Sequence, residues 1–360
     1  MTIILLGITF TKQRIGLASR VLMRESVGAP QVGGIIRMTR FIISGTLAVE
    51  AVGAVLLAFF FCPKFGLLNG IYYAVFHSIS AFCNAGFDLM GAWEPYSSLT
   101  AFYDDWYLNL VIMGLIVIGG LGFFVWHDLL QSHFRFSRLR LHSKLAVSVS
   151  AILIFGGAAL IFFLERAAGH FEGIALSDQI LMSLFQSVTS RTAGFNTADL
   201  AALSEGSLFV MICLMMAGGS TSSTAGGIKT TTVAVLILSI FTTFKRKKNI
   251  EIFGRRLEDN ITRLASCIFM MYLTLTIAAV LLISGLENMS VLEAMFEAAS
   301  AIATVGVTVG ITPEVGFLSK MILAFLMIFG RAGSLTMLLA LSSDHGPVAA
   351  TKPLEKIQMG

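Results

Sequence analysis

Six apolar runs of about twenty residues or more, near 38–61, 108–131, 145–164, 208–244, 264–285 and 319–341, dominate the 360-residue chain. A run of that length matches the thickness of a bilayer core when helical, and none alternates as the strands of a transmembrane barrel do. The expected fold class is therefore an all-α integral membrane protein. Composition agrees, since 56% of residues are hydrophobic and only 13% charged, against roughly 25% charged in soluble domains. A soluble enzyme so composed would expose large apolar patches, and the apolar fraction is too high for disorder. Four cysteines spread singly at Cys62, Cys83, Cys213 and Cys267 suggest neither a disulfide framework nor a zinc knuckle.

Charge placement sets the topology. Of 25 basic residues, 20 fall in four clusters: Lys12–Arg40, Arg135–Lys144, Lys229–Arg263 with Lys245-Arg246-Lys247-Lys248 inside it, and Lys352 with Lys356. Basic loops stay in the cytoplasm, which predicts a cytoplasmic C-terminus and a multi-pass protein of the cell membrane. The stretches between the clusters are acidic, with Asp88, Glu94, Asp104, Asp105, then Glu165, Glu172, Asp178, Asp199, Glu205, then Glu287, Glu293, Glu297 and Glu314; these are expected outside. Dispersed juxtamembrane charge of this kind fits sorting and lipid contact, not nucleic-acid binding.

Each outward stretch also holds an apolar or amphipathic segment of about a dozen residues, too short to cross. These segments, 70–82, 178–189 and 290–301, read as re-entrant half-helices. They end as Ser80-Ala81-Phe82-Cys83-Asn84-Ala85-Gly86-Phe87, Thr189-Ser190-Arg191-Thr192-Ala193-Gly194-Phe195 and Ser300-Ala301-Ile302-Ala303-Thr304-Val305-Gly306-Val307. Gly86 and Gly194 are 108 apart and Gly194 and Gly306 are 112 apart. A period near 110 thus repeats a unit of helix, half-helix, extended strand and helix. The predicted units are 37–143, 144–260 and 261–360, the last with a cytoplasmic tail, preceded by 1–36 as the end of an incomplete first unit and its linker. One period back from Gly86 falls about 24 residues before Met1.

A half-helix whose C-terminus leads inward aims the negative end of its dipole at the membrane centre, which favours a cation there. Extended residues after it can turn carbonyls to an axis and replace the water around a dehydrated ion, and glycine permits the conformations this needs. An isolated glycine would signify only a turn; three in register point to a ring.

Phe82-Cys83-Asn84-Ala85-Gly86-Phe87, Ser187-Val188-Thr189-Ser190-Arg191-Thr192-Ala193-Gly194-Phe195-Asn196-Thr197 and Gly218-Gly219-Ser220-Thr221-Ser222-Ser223-Thr224-Ala225-Gly226-Gly227-Ile228-Lys229-Thr230-Thr231-Thr232 resemble the Ktr/Trk/HKT potassium transporter superfamily, most of all its KtrB membrane subunits. The ending Glu355-Lys356-Ile357-Gln358-Met359-Gly360 is similar to KtrB in the same way. The resemblance implies four membrane-pore-membrane repeats around one pseudo-fourfold pore, potassium as the substrate with sodium as a coupling ion in some members, no covalently bound cofactor, a homodimer, and a cytoplasmic KtrA-type nucleotide-binding regulatory ring. It assigns Cys83, Asn84, Ala85 and Gly86, Arg191, Thr192, Ala193 and Gly194, and Ala303, Thr304, Val305 and Gly306 to the selectivity filter. The first filter strand of the family has no counterpart in the sequence, so a non-transporting membrane subunit stays an alternative.

The run 208–244 is interrupted by Gly218, Gly219, Ser220, Thr221, Ser222, Ser223, Thr224, Ala225, Gly226 and Gly227. Such a stretch unwinds a helix, and its free backbone groups are tolerable at membrane depth only against protein or a water-filled cavity. It is not a phosphate loop, because Ile228 separates Gly227 from Lys229 and no buried strand precedes it. The resemblance makes it an intramembrane gate loop, with Lys229 and Arg331 as its charged residues. Arg331, inside the last run, needs a partner or a wet path; the resemblance places it near the gate loop, where its fixed charge would either raise the barrier for cations or bond the loop's carbonyls. Glu50 reads equally as an ion-path carboxylate or a partnered structural one. Arg191 is expected to anchor its pore loop through outer carboxylates or carbonyls, and His77 to pack. Gly119-Gly120-Leu121-Gly122 reads as close helix packing. No HExxH or GxSxG motif supports catalysis. A secondary transporter of another solute, with its own broken helices, is the competing function.

Overall fold

The computed structural model describes residues 35–92, 96–258 and 260–332. The stub at 1–10, the residues of 319–341 beyond Ala332, and the C-terminal ending lie outside the described residues. Eleven α-helices carry the described fold: α1 (Ile35–Phe65), α2 (Leu67–Phe82), α3 (Trp106–Leu121), α4 (Phe123–Gln131), α5 (Leu141–Ala168), α6 (Leu176–Thr189), α7 (Glu205–Met216), α8 (Thr230–Phe244), α9 (Ile261–Glu287), α10 (Val291–Ile302) and α11 (Phe317–Ala332). A small hairpin of β1 (Glu251–Ile252) and β2 (Arg255–Arg256) sits between α8 and α9.

Helices α1, α5 and α9 are long and apolar enough to cross a bilayer. Their outer faces are unpacked and greasy: Leu47, Val52, Val55 and Phe59 on α1, Phe155 and Phe163 on α5, and Leu281 and Leu282 on α9 are all exposed. Exposed apolar faces this large belong against lipid. The buried sides form three cores in which neighbouring units share residues. Leu181, Phe185 and Val188 of α6 pack into the core of α1 and α3. Phe296 and Ala299 of α10 join α7 in the second core. The third holds α9, α10 and α11 with Ile228. Two of the half-helices, α6 and α10, thereby pack against the preceding unit as well as their own, while α2 packs within the first described unit.

The half-helices α2, α6 and α10 match the expected re-entrant segments, and local chemistry starts them. Gly66, at φ +79°, turns the chain from α1 directly into α2. Ser290 and Glu293 form a reciprocal capping box at the start of α10.

The run 108–131 departs from its expectation as one span. It breaks at Gly122 into α3 and α4 with a 93° bend. Gly122 has φ +92°, which disfavours any other residue, and Phe123 N donates to the Ser222 carbonyl at 2.9 Å instead of to its own helix. Helix packing is therefore the right reading of Gly119, whose added Cβ would overlap the Phe82 carbonyl oxygen, and the wrong one for Gly122, which is a hinge.

Candidate ion pathway

Three strands leave the inner ends of α2, α6 and α10. In each, the second and fourth residues have left-handed φ: Asn84 and Gly86 at 49° and 72°, Thr192 and Gly194 at 70° and 88°, Thr304 and Gly306 at 54° and 92°. Cys83 and Ala303, the first residues of two strands, are right-handed helical. In an ordinary extended strand successive carbonyls point to opposite sides. Alternating right- and left-handed residues turns them to one side, which is the arrangement a dehydrated cation needs.

The strands lie against one another. A Cβ added to Gly86 would stand 2.6 Å from the Ala193 carbonyl oxygen, and one added to Gly194 would overlap the Val305 carbonyl oxygen. One added to Gly306 would meet nothing within 4 Å among the described residues. The structure thus brings Cys83–Gly86, Arg191–Gly194 and Ala303–Gly306 together, with the open side of the third strand next in the ring.

Side chains missed by the sequence reading hold these strands. Ser80 Oγ donates to the Phe87 carbonyl at 2.6 Å, Thr189 Oγ1 to that of Phe195 at 2.5 Å, and Ser300 Oγ to that of Val307 at 2.6 Å. One turn earlier a second post steadies the segment beyond the glycine. His77 Nε2 accepts from Leu89 N at 3.5 Å, Gln186 Nε2 donates to Asn196 Oδ1 at 3.3 Å, and Glu297 accepts from Thr308 Oγ1, Val309 N and Thr312 Oγ1. His77 is also packed, stacked 5.1 Å from the Phe61 ring, with Nδ1 donating to the Tyr73 carbonyl in the tautomer that lets Nε2 accept.

The second unit is one residue shorter between post and glycine. Ala85 N and Val305 N each donate five residues back, to Ser80 O and Ser300 O, whereas Ala193 N donates four back, to Thr189 O. Aligning the units on glycine alone hides this, because the hydroxyl and the second post both shift by one position.

Arg191 is buried at 6% exposure and its Nη2 donates to Ser150 Oγ on α5 at 2.9 Å. No outer carboxylate reaches it among the described residues, which corrects the expected anchor. The reason is geometric: Arg191 is at the inner end of its strand, away from the outer loops. Glu50 is half-buried and accepts a weak bond from Cys83 Sγ at 3.7 Å, so it sits behind the first strand as a partnered group.

Below the strands, α7 ends at Met216 and α8 starts at Thr230. A bridge between Ala217 and Ile228 closes the neck of the intervening loop. Ser220 N donates to Gly120 O at 3.0 Å and Thr224 N to Gly119 O at 3.4 Å, which hangs the loop on the end of α3. Ser220 and Thr221 hydroxyls pair with those of Thr230 and Thr231 at 3.1 and 3.3 Å. Ser223 Oγ caps the Ser220 carbonyl at 2.6 Å. Gly218 packs on the Gly226 carbonyl, Gly219 on the Ala225 methyl, and Gly227, at φ +66°, on Ala303. Two cations hold the tip: Lys229 Nζ donates to Ala225 O at 2.9 Å and Arg331 Nη1 to Thr224 O at 2.7 Å. Arg331 is exposed, so its positive charge on the loop tip is not neutralised by burial against a carboxylate among the described residues.

A family model described as TrkH, cation transport protein, matches residues 1–346. The chain belongs to the TrkH cation transport family. It is 35% identical to the potassium/sodium uptake protein NtpJ of Enterococcus hirae, over 100% of this chain and 80% of that one. It is 36% identical to the Ktr system potassium uptake protein B of Vibrio alginolyticus, over 90% and 70%. The Bacillus subtilis protein of the same description is 33% identical, over 96% and 76%. The potassium transporter TrkH from Vibrio parahaemolyticus superposes with a TM-score of 0.72, at 20% identity, covering 90% of this chain and 68% of that one. That likeness concerns the fold: an all-α membrane architecture of the TrkH type. Membership places the chain among cation transporters, not enzymes.

Proposed function

We propose that the chain is a potassium-transporting subunit of the cell membrane, in which the carbonyls of 83–86, 191–194 and 303–306 select the ion and the loop 218–227 obstructs its path. The observation that carries the reading is the alternation of left-handed φ at the same two positions of all three strands, set at the ends of three half-helix dipoles. The relatives described as potassium or potassium/sodium uptake proteins supply the ion. Lys229 and Arg331 latch the loop shut and add a positive barrier in series with the ring. The strand-bearing units 37–143, 144–260 and 261–360 are its repeats, and sodium is the second cation of interest.

In this reading the C-terminus is cytoplasmic and a second copy completes a homodimer. A KtrA-type nucleotide-binding ring docks on the basic cytoplasmic face, where Lys144 lies 5.8 Å from the ring centroids of both Phe136 and Phe253. Recovery of such a ring with the detergent-solubilised protein at moderate salt tests the partner, and failure to recover any ring counts against it. The transport reading is tested in cells deficient in potassium uptake. Expression is expected to restore growth at low external potassium and saturable potassium uptake; a membrane-inserted, folded protein that confers neither overturns it.

A further inference from the structure

The gate loop meets the first filter strand through Thr224, a residue that can act in two directions. Thr224 Oγ1 lies 3.1 Å from Asn84 Oδ1 and 3.2 Å from the Phe82 carbonyl oxygen. Asn84 is buried, and its Nδ2 donates to the carbonyl of Arg191, the first residue of the neighbouring strand, at 3.5 Å. The reverse amide orientation would set Oδ1 against that carbonyl, so the network itself fixes the assignment. The same residue Thr224 presents its backbone carbonyl to Arg331 Nη1 at 2.7 Å. A continuous chain therefore runs from Arg331 through the loop tip and Asn84 to the inner end of the second strand.

The pseudo-symmetry is broken at this position. Asn84, Thr192 and Thr304 are the second residues of the three strands and all have left-handed φ. Thr192 Oγ1 is buried without a hydrogen-bond partner among the described residues, and Thr304 Oγ1 lies against Gly226 of the loop. A threonine hydroxyl donates and accepts at a single atom close to the backbone, while an amide carries its donor and its acceptor on separate atoms farther out. Of the three, the asparagine is the side chain able to hold the loop with one end and a filter carbonyl with the other.

We propose that Thr224 is a positioning residue for selectivity: through Asn84 it fixes the direction of the innermost carbonyls of the filter, and it keeps that hold during transport. The inference rests on reading 218–227 as the gate and 83–86 with 191–194 as filter. Its physical content is that a carbonyl tethered by a buried amide keeps one direction, whereas an untethered one can relax around a smaller cation.

The test uses the purified protein in liposomes, with potassium and sodium fluxes measured side by side. Thr224→Val removes the hydroxyl but keeps the carbonyl that Arg331 holds. It is expected to lower the potassium-to-sodium ratio about fivefold, the worth of one hydrogen bond. Thr224→Ser should retain the ratio, and Asn84→Asp, which loses the donor, should lower it and leave nothing for Thr224→Val to add. Arg331→Gln runs alongside as the gate control. Raised flux in Arg331→Gln with an unchanged ratio in Thr224→Val overturns the link and leaves the gate standing. A lowered ratio in Thr224→Val with unchanged flux in Arg331→Gln supports the link and overturns the gate. Potassium- and sodium-dependent shifts in melting temperature in detergent give the same discrimination without flux; equal shifts in wild type and Thr224→Val overturn the proposal.

Discussion

The three strands after the half-helices and the loop 218–227, filter and gate in the proposed reading, are both stretches of non-helical backbone, yet they are held differently. Each strand is fixed from within its own unit, by a hydroxyl five or six residues before its glycine and by a second post one turn earlier. The loop is closed at its neck by its own flanks, but its tip is also held from elsewhere: by Gly119 and Gly120 on α3, by Asn84, and by Arg331 on α11, 107 residues from its partner Thr224. Locally closed backbone forms whenever its unit forms and resists displacement. Backbone held by a few remote contacts can be released together when those contacts shift. In the proposed reading the difference separates a part that stays rigid from one that moves, and it can be attacked by substitution.

The largest effect is expected at the glycines. Gly194→Ser and Gly86→Ser combine left-handed backbone strain, roughly 1–3 kcal/mol, with overlap on the next strand's carbonyl. Loss of potassium-over-sodium discrimination by about tenfold or more is expected in ion-competition uptake assays. Gly306→Ser carries the strain but meets open space among the described residues, so a smaller loss is expected there. Equal, undiminished selectivity in all three would break the filter side of the comparison.

Next comes the latch. Arg331→Gln removes a charge-assisted bond whose donor is exposed, worth about 1 kcal/mol after discounting for solvent. Potassium flux is expected to rise about fivefold, with the protein's melting temperature changed little. A fall in flux with normal folding would mean that the arginine serves the path instead of blocking it.

The smallest effect belongs to a single staple. Ser300→Ala removes the bonds to the Val307 carbonyl and from Gly306 N, about 1 kcal/mol or less each, while Glu297 still holds the segment beyond. A two- to threefold, roughly, loss of apparent potassium affinity is expected, with flux through the gate unaltered. A change in gating of the size seen for Arg331→Gln would show that the staples and the latch are not separate devices.

The repeat, the half-helices and the glycine positions are legible in the sequence because each is a local pattern: an apolar dozen, small residues, then glycine. The break at Gly122 is not, since the apolar pattern runs on through residues 108–131 and the reason for the bend is a carbonyl on Ser222 far along the chain. Arg191 illustrates the same point. Its charge demanded a partner, but nothing near it in sequence marks Ser150, 41 residues away. The one-residue shortening of the second unit was hidden by the glycine alignment itself, and Thr189 beside Ser80 and Ser300 was the available sign. Arg331 and the loop were both visible as anomalies within apolar runs; their bond is a product of the fold.

The central claim, that the loop obstructs a path in series with the ring, is tested most directly by shortening the loop. Deleting 221–224 removes the tip together with its bonds to Asn84 and Arg331, while the Ala217–Ile228 neck and both flanking helices remain. Potassium flux should be measured in liposomes against wild type at matched protein content, with folding checked by melting temperature. The account predicts a rise well beyond that of Arg331→Gln. Unchanged or abolished flux in a normally folded protein would contradict it.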